Sequence, residues 1–190
     1  MSDSDCFASE SHWDTYGAIA ARTLGAEVST IAVSGAGAYR DYGGTRDNTL
    51  ARVYERARTN APSPPWSFAR VPQAVVINLG TNDAAKGDPG TAFRDAYRSL
   101  LQTVRAKYPL ATVVCIVGPM LTDPALAAIR GYVQSAVDAQ RAAGDTRMST
   151  FFGIAPQTPD KFGCAYHPNA AEHTSMATQL VAEIARLLGW

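Results

Sequence analysis

Residues 74–83, Ala-Val-Val-Ile-Asn-Leu-Gly-Thr-Asn-Asp, decide how the rest of the chain is read. The stretch opens with an apolar run of strand length, rich in β-branched residues, which suits a strand covered on both faces. It stops at Gly80-Thr81-Asn82-Asp83, residues fitted to a tight turn where backbone and side-chain amides converge. An asparagine at the carboxyl end of a parallel strand lies where open α/β sheets put their ligand crevice. Alone, such an asparagine need do no more than close the turn, so the neighbouring segments carry the decision.

Upstream, Glu27–Val33 reads as a second strand, cut off by Ser34-Gly35-Ala36-Gly37. Ahead of it, Trp13, Tyr16, Ile19, Ala20 and Leu24 have helical spacing with Gly25 as a stop, after a polar entry at residues 1–10. Residues 39–65 show little periodicity: Leu50–Arg58 reads as a short helix and Ala61–Pro65 as a stiff loop that Trp66 and Phe68 pack onto the body. Downstream, Phe93, Tyr97, Leu100, Leu101, Val104 and Tyr108 mark one helix face, and Pro109 ends it. Thr112–Val117 is another buried strand. Asp123-Pro124 predicts a helix with Asp123 as N-cap and Pro124 at its first position, carried on by Leu126, Ile129, Val133, Val137 and Gln140. Ser149–Ile154 reads as a short strand, and the last helix follows His167-Pro168 with Met176, Leu180, Val181, Ile184, Leu187 and Leu188 inward. Strands alternating with helices predict an α/β fold, a parallel sheet with helices on both faces. Roughly four strands are visible, few for such a sheet.

The totals exclude several classes. A chain of 190 residues with 46% hydrophobic and 18% charged residues is one globular domain with a real core. Seventeen basic residues balance seventeen acidic ones, so phosphate neutralisation has no global support and no nucleic-acid partner is expected. No apolar run approaches a membrane span, and no basic stretch followed by an apolar core marks a secretory leader. No Cys/His cluster has metal-ligand spacing, so no metal and no cofactor are expected. The three cysteines cannot all pair: Cys115 reads as a buried thiol, and Cys6 with Cys164 is a disulfide only in an exported protein.

Three features carry chemistry. Gly35 follows one strand, Asn82 another, and His167 lies in the loop after the last, so parallel strands would bring all three to one sheet edge. A glycine N–H and an asparagine carboxamide are neutral, fixed donors able to hold the negative oxygen of a tetrahedral acyl intermediate. An imidazole accepts a hydroxyl proton near neutral pH and returns it to the leaving group. His12 and His173 have weaker contexts, His12 in the polar entry and His173 on a helix surface. A nucleotide-binding reading of Ser34-Gly35-Ala36-Gly37 fails, because the Walker lysine and the dinucleotide fingerprint are missing.

Ser34-Gly35, Gly80-Thr81-Asn82-Asp83 and His167-Pro168 resemble, in order, three sequence blocks of the SGNH (GDSL-like) hydrolases. The resemblance looks closest to carbohydrate esterase family 2, through Ile31–Gly37, Tyr39–Gly44, Val75–Asp83, Gly118–Leu121 and Gly163–Pro168. It covers about residues 5–190 and implies a three-layer flavodoxin-like sheet. It further implies Gly35 and Asn82 as oxyanion donors, His167 as base, and removal of acetyl groups from sugars. The partner would be a small-molecule or polysaccharide acyl ester. Relatives are often secreted, although the chain shows no leader of its own, and nothing in it speaks to oligomeric state.

Two departures from the family pattern matter. Many relatives place an aspartate three residues before the histidine to orient it; here that residue is Cys164, a poor acceptor, which fits a Ser–His dyad with a backbone carbonyl as orienter. The first block, a buried strand ending in Gly-Asp-Ser with the nucleophile, has no match. Asp3-Ser4 has no strand before it, so the chain is expected to be a single SGNH-like domain, residues 1–190, truncated at its N-terminus and lacking its first strand. The alternative from another class is a non-catalytic carbohydrate-binding domain, with Tyr39, Trp66 and Tyr166 as sugar-stacking aromatics.

Overall fold

The computed structural model describes residue 6 and residues 9–47, 49–59 and 63–190. Two compact units are built from interleaved segments, residues 31–117 with 121–152 in one, and residues 1–30, 118–120 and 153–190 in the other.

The first unit holds the sheet. Strands β1 (Ala74–Asn78), β2 (Thr112–Ile116) and β3 (Met148–Phe151) run parallel in that order. The register sets Ala74 opposite Thr112, Asn78 opposite Ile116, and Val113 opposite Met148. β2 is the central strand, and its composition explains why: Val113, Val114, Cys115 and Ile116 are all buried, so both pleat faces are covered. Burial pushes the Cys115 thiol up to about 12, so it stays a neutral, packed group. Helices α4 (Gly90–Lys107) and α5 (Ala125–Ala142) pack on each other. Phe93, Tyr97, Leu100, Leu101 and Val104 of α4 and Ile129, Val133, Ala136 and Val137 of α5 form one apolar cluster with Ile77, Val113, Cys115 and Met148. These are the positions that helical periodicity selects.

The C-terminal turn of α4 is tied to the strand ends by one side chain. Arg105 donates through Nε to Asp145 Oδ2 at 2.7 Å and through Nη2 to Asp145 Oδ1 at 3.0 Å. Its Nη1 donates to the carbonyls of Tyr108, Pro109 and Ala111, in the turn between α4 and β2.

Several expected elements differ. Glu27–Val33 is not a strand: no ladder forms along it, and Val28 and Ile31 are 42% and 41% exposed. β-branched composition favours a pleated surface only where a neighbouring strand supplies the hydrogen bonds. Among the described residues β1 pairs with β2 alone, so three strands stand where four were expected. The helix at residues 50–58 shrinks to α2 (Leu50–Val53). The last strand starts one residue early and stops at Phe151. α5 begins after Pro124 rather than at it, although Asp123 Oδ1 still accepts the Ala127 N–H at 3.1 Å. Trp66 does not pack down: it is 40% exposed, while Phe68 joins the core beside Tyr54 and Tyr108. Ala61 and Pro62 of the preceding loop lie outside the described residues.

The second unit pairs α1 (Tyr16–Thr23) with α6 (Ala170–Leu188). Its buried residues include Ala18 and Ala20 on α1, and Met176, Ala177, Leu180 and Ile184 on α6. Thr15 caps α1 by accepting the Ala18 N–H, and Asn169 caps α6 by accepting that of Glu172 at 3.0 Å. Gly189 closes α6 in the left-handed conformation that spares the last carbonyls. Cys6 and Cys164 form a disulfide, with Cα atoms 5.6 Å apart, and Cys115 stays free. No helix among the described residues is long and apolar enough to cross a membrane.

Candidate active site

The Gly80–Asp83 turn is the start of a short helix, α3 (Thr81–Ala84). Gly80 makes it possible. Its φ is +123°, and a Cβ there would come within 2.5 Å of Ile129 Cγ2, so no other residue turns the chain this sharply off β1. The helix holds Asn82 half-buried and Asp83 fully buried.

Asn82 reaches back to the segment that contains Gly35. Its Nδ2 donates to the Ala36 carbonyl at 2.8 Å. A carboxamide nitrogen carries two hydrogens, so one remains for a ligand. Gly35 has φ +73°, and its carbonyl accepts the Tyr42 N–H at 2.8 Å, closing a loop. Among the described residues no acceptor takes the Gly35 N–H. Asn82 is therefore joined to the residue that follows Gly35. No strand delivers Gly35; a side chain of the opposite turn does.

Sequence reasoning missed the residue that organises this loop. Asp83 Oδ1 accepts the N–H groups of Tyr39 at 2.7 Å and Arg40 at 3.0 Å, and Oδ2 accepts that of Ala38 at 3.0 Å. Arg40 answers by donating Nε to the Asp83 carbonyl at 2.7 Å and Nη2 to that of Gly87 at 2.6 Å. Gly37 is wedged inside: a Cβ there would sit 2.1 Å from the Arg40 carbonyl oxygen and 2.5 Å from Asp83 Oδ2. The separations of 43–45 residues explain the omission, since no local pattern links Asp83 to amides so far upstream. The one available signal was an ionisable residue following a buried run.

His167 belongs to the other unit, on a loop whose backbone is tied to itself. Gly163 N–H donates to the His167 carbonyl at 2.6 Å, and His167 N–H to that of Cys164 at 3.0 Å. Gln157 Nε2 donates to the Tyr166 carbonyl at 2.6 Å. Ala165 and Tyr166 take φ values of +50° and +62°, rare for residues with a Cβ and found mostly where surrounding contacts enforce them. The imidazole is exposed. Cys164 spends its sulfur on Cys6, so no acceptor for the ring stands three residues upstream. His173 is not a surface histidine: it is half-buried, stacked on Tyr16 at 6.1 Å, and its Nδ1 accepts the Tyr16 N–H at 3.3 Å. His12 Nε2 lies 2.8 Å from Thr30 Oγ1.

The aromatics divide. Tyr166 is 72% exposed and meets Phe162 edge to face at 5.7 Å. Tyr39 is half-buried under the Arg46 guanidinium, 4.4 Å from the ring centroid, and its hydroxyl accepts from the same group. Trp66 is open to solvent. Ser4 lies outside the described residues. Among the described residues no group of three or more His, Cys, Asp or Glu could hold a metal ion.

A parallel α/β sheet whose first strand runs into a Gly-Thr-Asn-Asp helix start, tethered to a Ser-Gly loop, defines a flavodoxin-like protein of the SGNH kind. The chain belongs to the GDSL-like lipase/acylhydrolase family, whose profile matches residues 2–174. It is 38% identical over 185 residues to the cellulase/esterase CelE of Acetivibrio thermocellus, covering 95% of this chain and 22% of that protein. It is 26% identical over 186 residues to an acetylxylan esterase / glucomannan deacetylase of Cellvibrio japonicus, covering 93% of this chain and 49% of that protein. The chain thus spans about a fifth and about half of these two curated relatives. Among solved structures, a family two carbohydrate esterase from Clostridium thermocellum in complex with cellohexaose superposes with a TM-score of 0.89 at 38% identity, over 95% of this chain and 56% of that one. A carbohydrate esterase family 2 enzyme from Corynascus thermopiles, with a carbohydrate binding domain, gives 0.80 at 33% identity, over 95% and 58%.

Proposed function

We infer that the protein is an esterase that removes acetyl or other short acyl groups from carbohydrates. A serine hydroxyl attacks the acyl carbonyl while His167 takes its proton. The negative oxygen that forms accepts hydrogen bonds from the Gly35 N–H and the Asn82 carboxamide. The intermediate collapses, the sugar alkoxide leaves with the proton from His167, and the acyl group remains on the serine. Water then repeats the sequence and releases the acid. Tyr39, Trp66 and Tyr166 are the aromatics assigned to the sugar. The observation that carries this reading is the Asn82–Ala36 hydrogen bond of 2.8 Å, which sets a carboxamide donor beside the glycine segment of the same family pattern. Similarity to an acetylxylan esterase and to family two carbohydrate esterases supports the substrate class.

The test is release of acetate from acetylated xylan, and of p-nitrophenol from its acetate, by the full-length protein. His167→Ala is expected to lower turnover by about 10²- to 10⁴-fold, the usual worth of a general base. An organophosphonate ester would trap the nucleophile, and peptide mass spectrometry would name the serine. Wild-type turnover in His167→Ala overturns the assignment. A second reading, carbohydrate binding without chemistry, is favoured by the cellohexaose held in the similar structure and by the exposure of Trp66 and Tyr166. Retained binding of cello-oligosaccharides with hydrolysis at background level would select it.

A further inference from the structure

Asp83 ties α3 to a loop more than forty residues upstream. It is wholly buried, and its carboxylate is the common acceptor of three successive backbone N–H groups, Ala38, Tyr39 and Arg40. Converging amides of this kind ordinarily make a concave site for an external anion; here the site is filled by the protein's own carboxylate. The residue before it, Asn82, grips the same loop at Ala36, and Arg40 returns to the Asp83 carbonyl. Gly37 leaves no room for a Cβ between the loop and the carboxylate. Gly35 and Asn82 are therefore related through short links that all pass by α3.

We propose that Asp83 is a positioning residue for the two oxyanion donors, setting the Gly35 N–H relative to the Asn82 carboxamide. The inference rests on the esterase reading above. The chemical reason is that oxyanion donors act only if aimed, before reaction, at the place where charge develops. Two donors on separate loops need a rigid tie, and a buried carboxylate that accepts three successive backbone N–H groups supplies one. A displacement of about 1 Å at such a site costs on the order of 100-fold in rate.

The experiment is Asp83→Asn in the full-length protein, with active sites counted by phosphonate titration so that unfolded molecules do not register. The expected result is a kcat per site lowered about 100-fold with KM nearly unchanged. The loss should shrink strongly in an Asn82→Ala background, because both substitutions then damage the same device. If Asp83→Asn does not fold, Arg40→Gln takes its place. It removes the donor to the Asp83 carbonyl from the surface side and should lower kcat several-fold at constant KM. Hydrogen exchange is read alongside: the amides of residues 38–40 are expected to be slow in the parent and fast in Asp83→Asn. Folded variants with parental kcat per site, or fully additive losses, overturn the proposal. So does fast exchange at 38–40 in the parent, whether or not the protein is an esterase. A parent without turnover sinks the esterase reading itself and is told apart by that exchange result.

Discussion

His173 lies at the end of the first turn of α6, stacked on Tyr16. Burial lowers its pKa, the neighbouring His167 lowers it further, and Asp14 opposes both. Its Nδ1 accepts a backbone N–H, an arrangement open only to the unprotonated acceptor nitrogen. In the unfolded chain the same imidazole takes a proton near the ordinary value of about 6.5. Below that pH the unfolded state binds a proton that the folded state refuses, so stability falls as the solution is acidified through the interval between the two values. Above it both states are neutral and the effect vanishes. Urea midpoints measured from pH 8 down to pH 5 should therefore drop less in His173→Gln than in the parent. Parallel curves would refute this. At the same scale, the turn that presents Asn82 was legible, because the sharp exit from β1 selects a glycine at position 80, whereas the strand expected to lead into Gly35 does not form. Asp83 was not legible, because what defines it is a set of amides supplied from another part of the chain.

Among the elements, helices were easier to read than strands. The buried faces of α4, α5 and α6 follow from apolar spacing alone, since a helix satisfies its own backbone and only its stripe needs a partner. Glu27–Val33 has strand composition and no ladder, because a strand is completed by its neighbour. The end of α4 shows the same dependence on distant groups. Arg105 spans from the last turn to Asp145 and to three carbonyls before β2. Its side chain and that of Asp145 are 21% and 15% exposed, so this pair is not a solvated surface contact. Arg105→Met should cost roughly 3 kcal/mol, because it strands a carboxylate and several carbonyls. Chemical denaturation measures it, and a loss within the ~1 kcal/mol typical of surface pairs would show that the clamp is ornamental.

For the molecule as a whole, the largest single constraint is the disulfide between Cys6 and Cys164, 158 residues apart. Closing so long a loop restricts the unfolded chain, a contribution of about 2–5 kcal/mol in stability for native bridges. Replacing both cysteines by serine, or reducing the protein, should lower the thermal midpoint, and the two treatments should agree. An unchanged midpoint would mean that the bridge adds nothing to the unit that contains both cysteines. Cysteine arithmetic left this pair conditional on export, since residue counts do not report distance.

The chain by itself determined that β1, β2 and β3 form a parallel α/β sheet and which helix faces are buried, because hydrophobic periodicity is a local property written in neighbouring residues. It also marked Gly35, Asn82 and His167 through the chemistry their residue types permit. Only the tertiary structure decided that residues 27–33 form no ladder, that Cys6 bonds to Cys164, and that Asp83 gathers the amides of residues 38–40. Each of those outcomes depends on which distant groups the folded chain brings within hydrogen-bonding or bonding reach, and no local pattern encodes that.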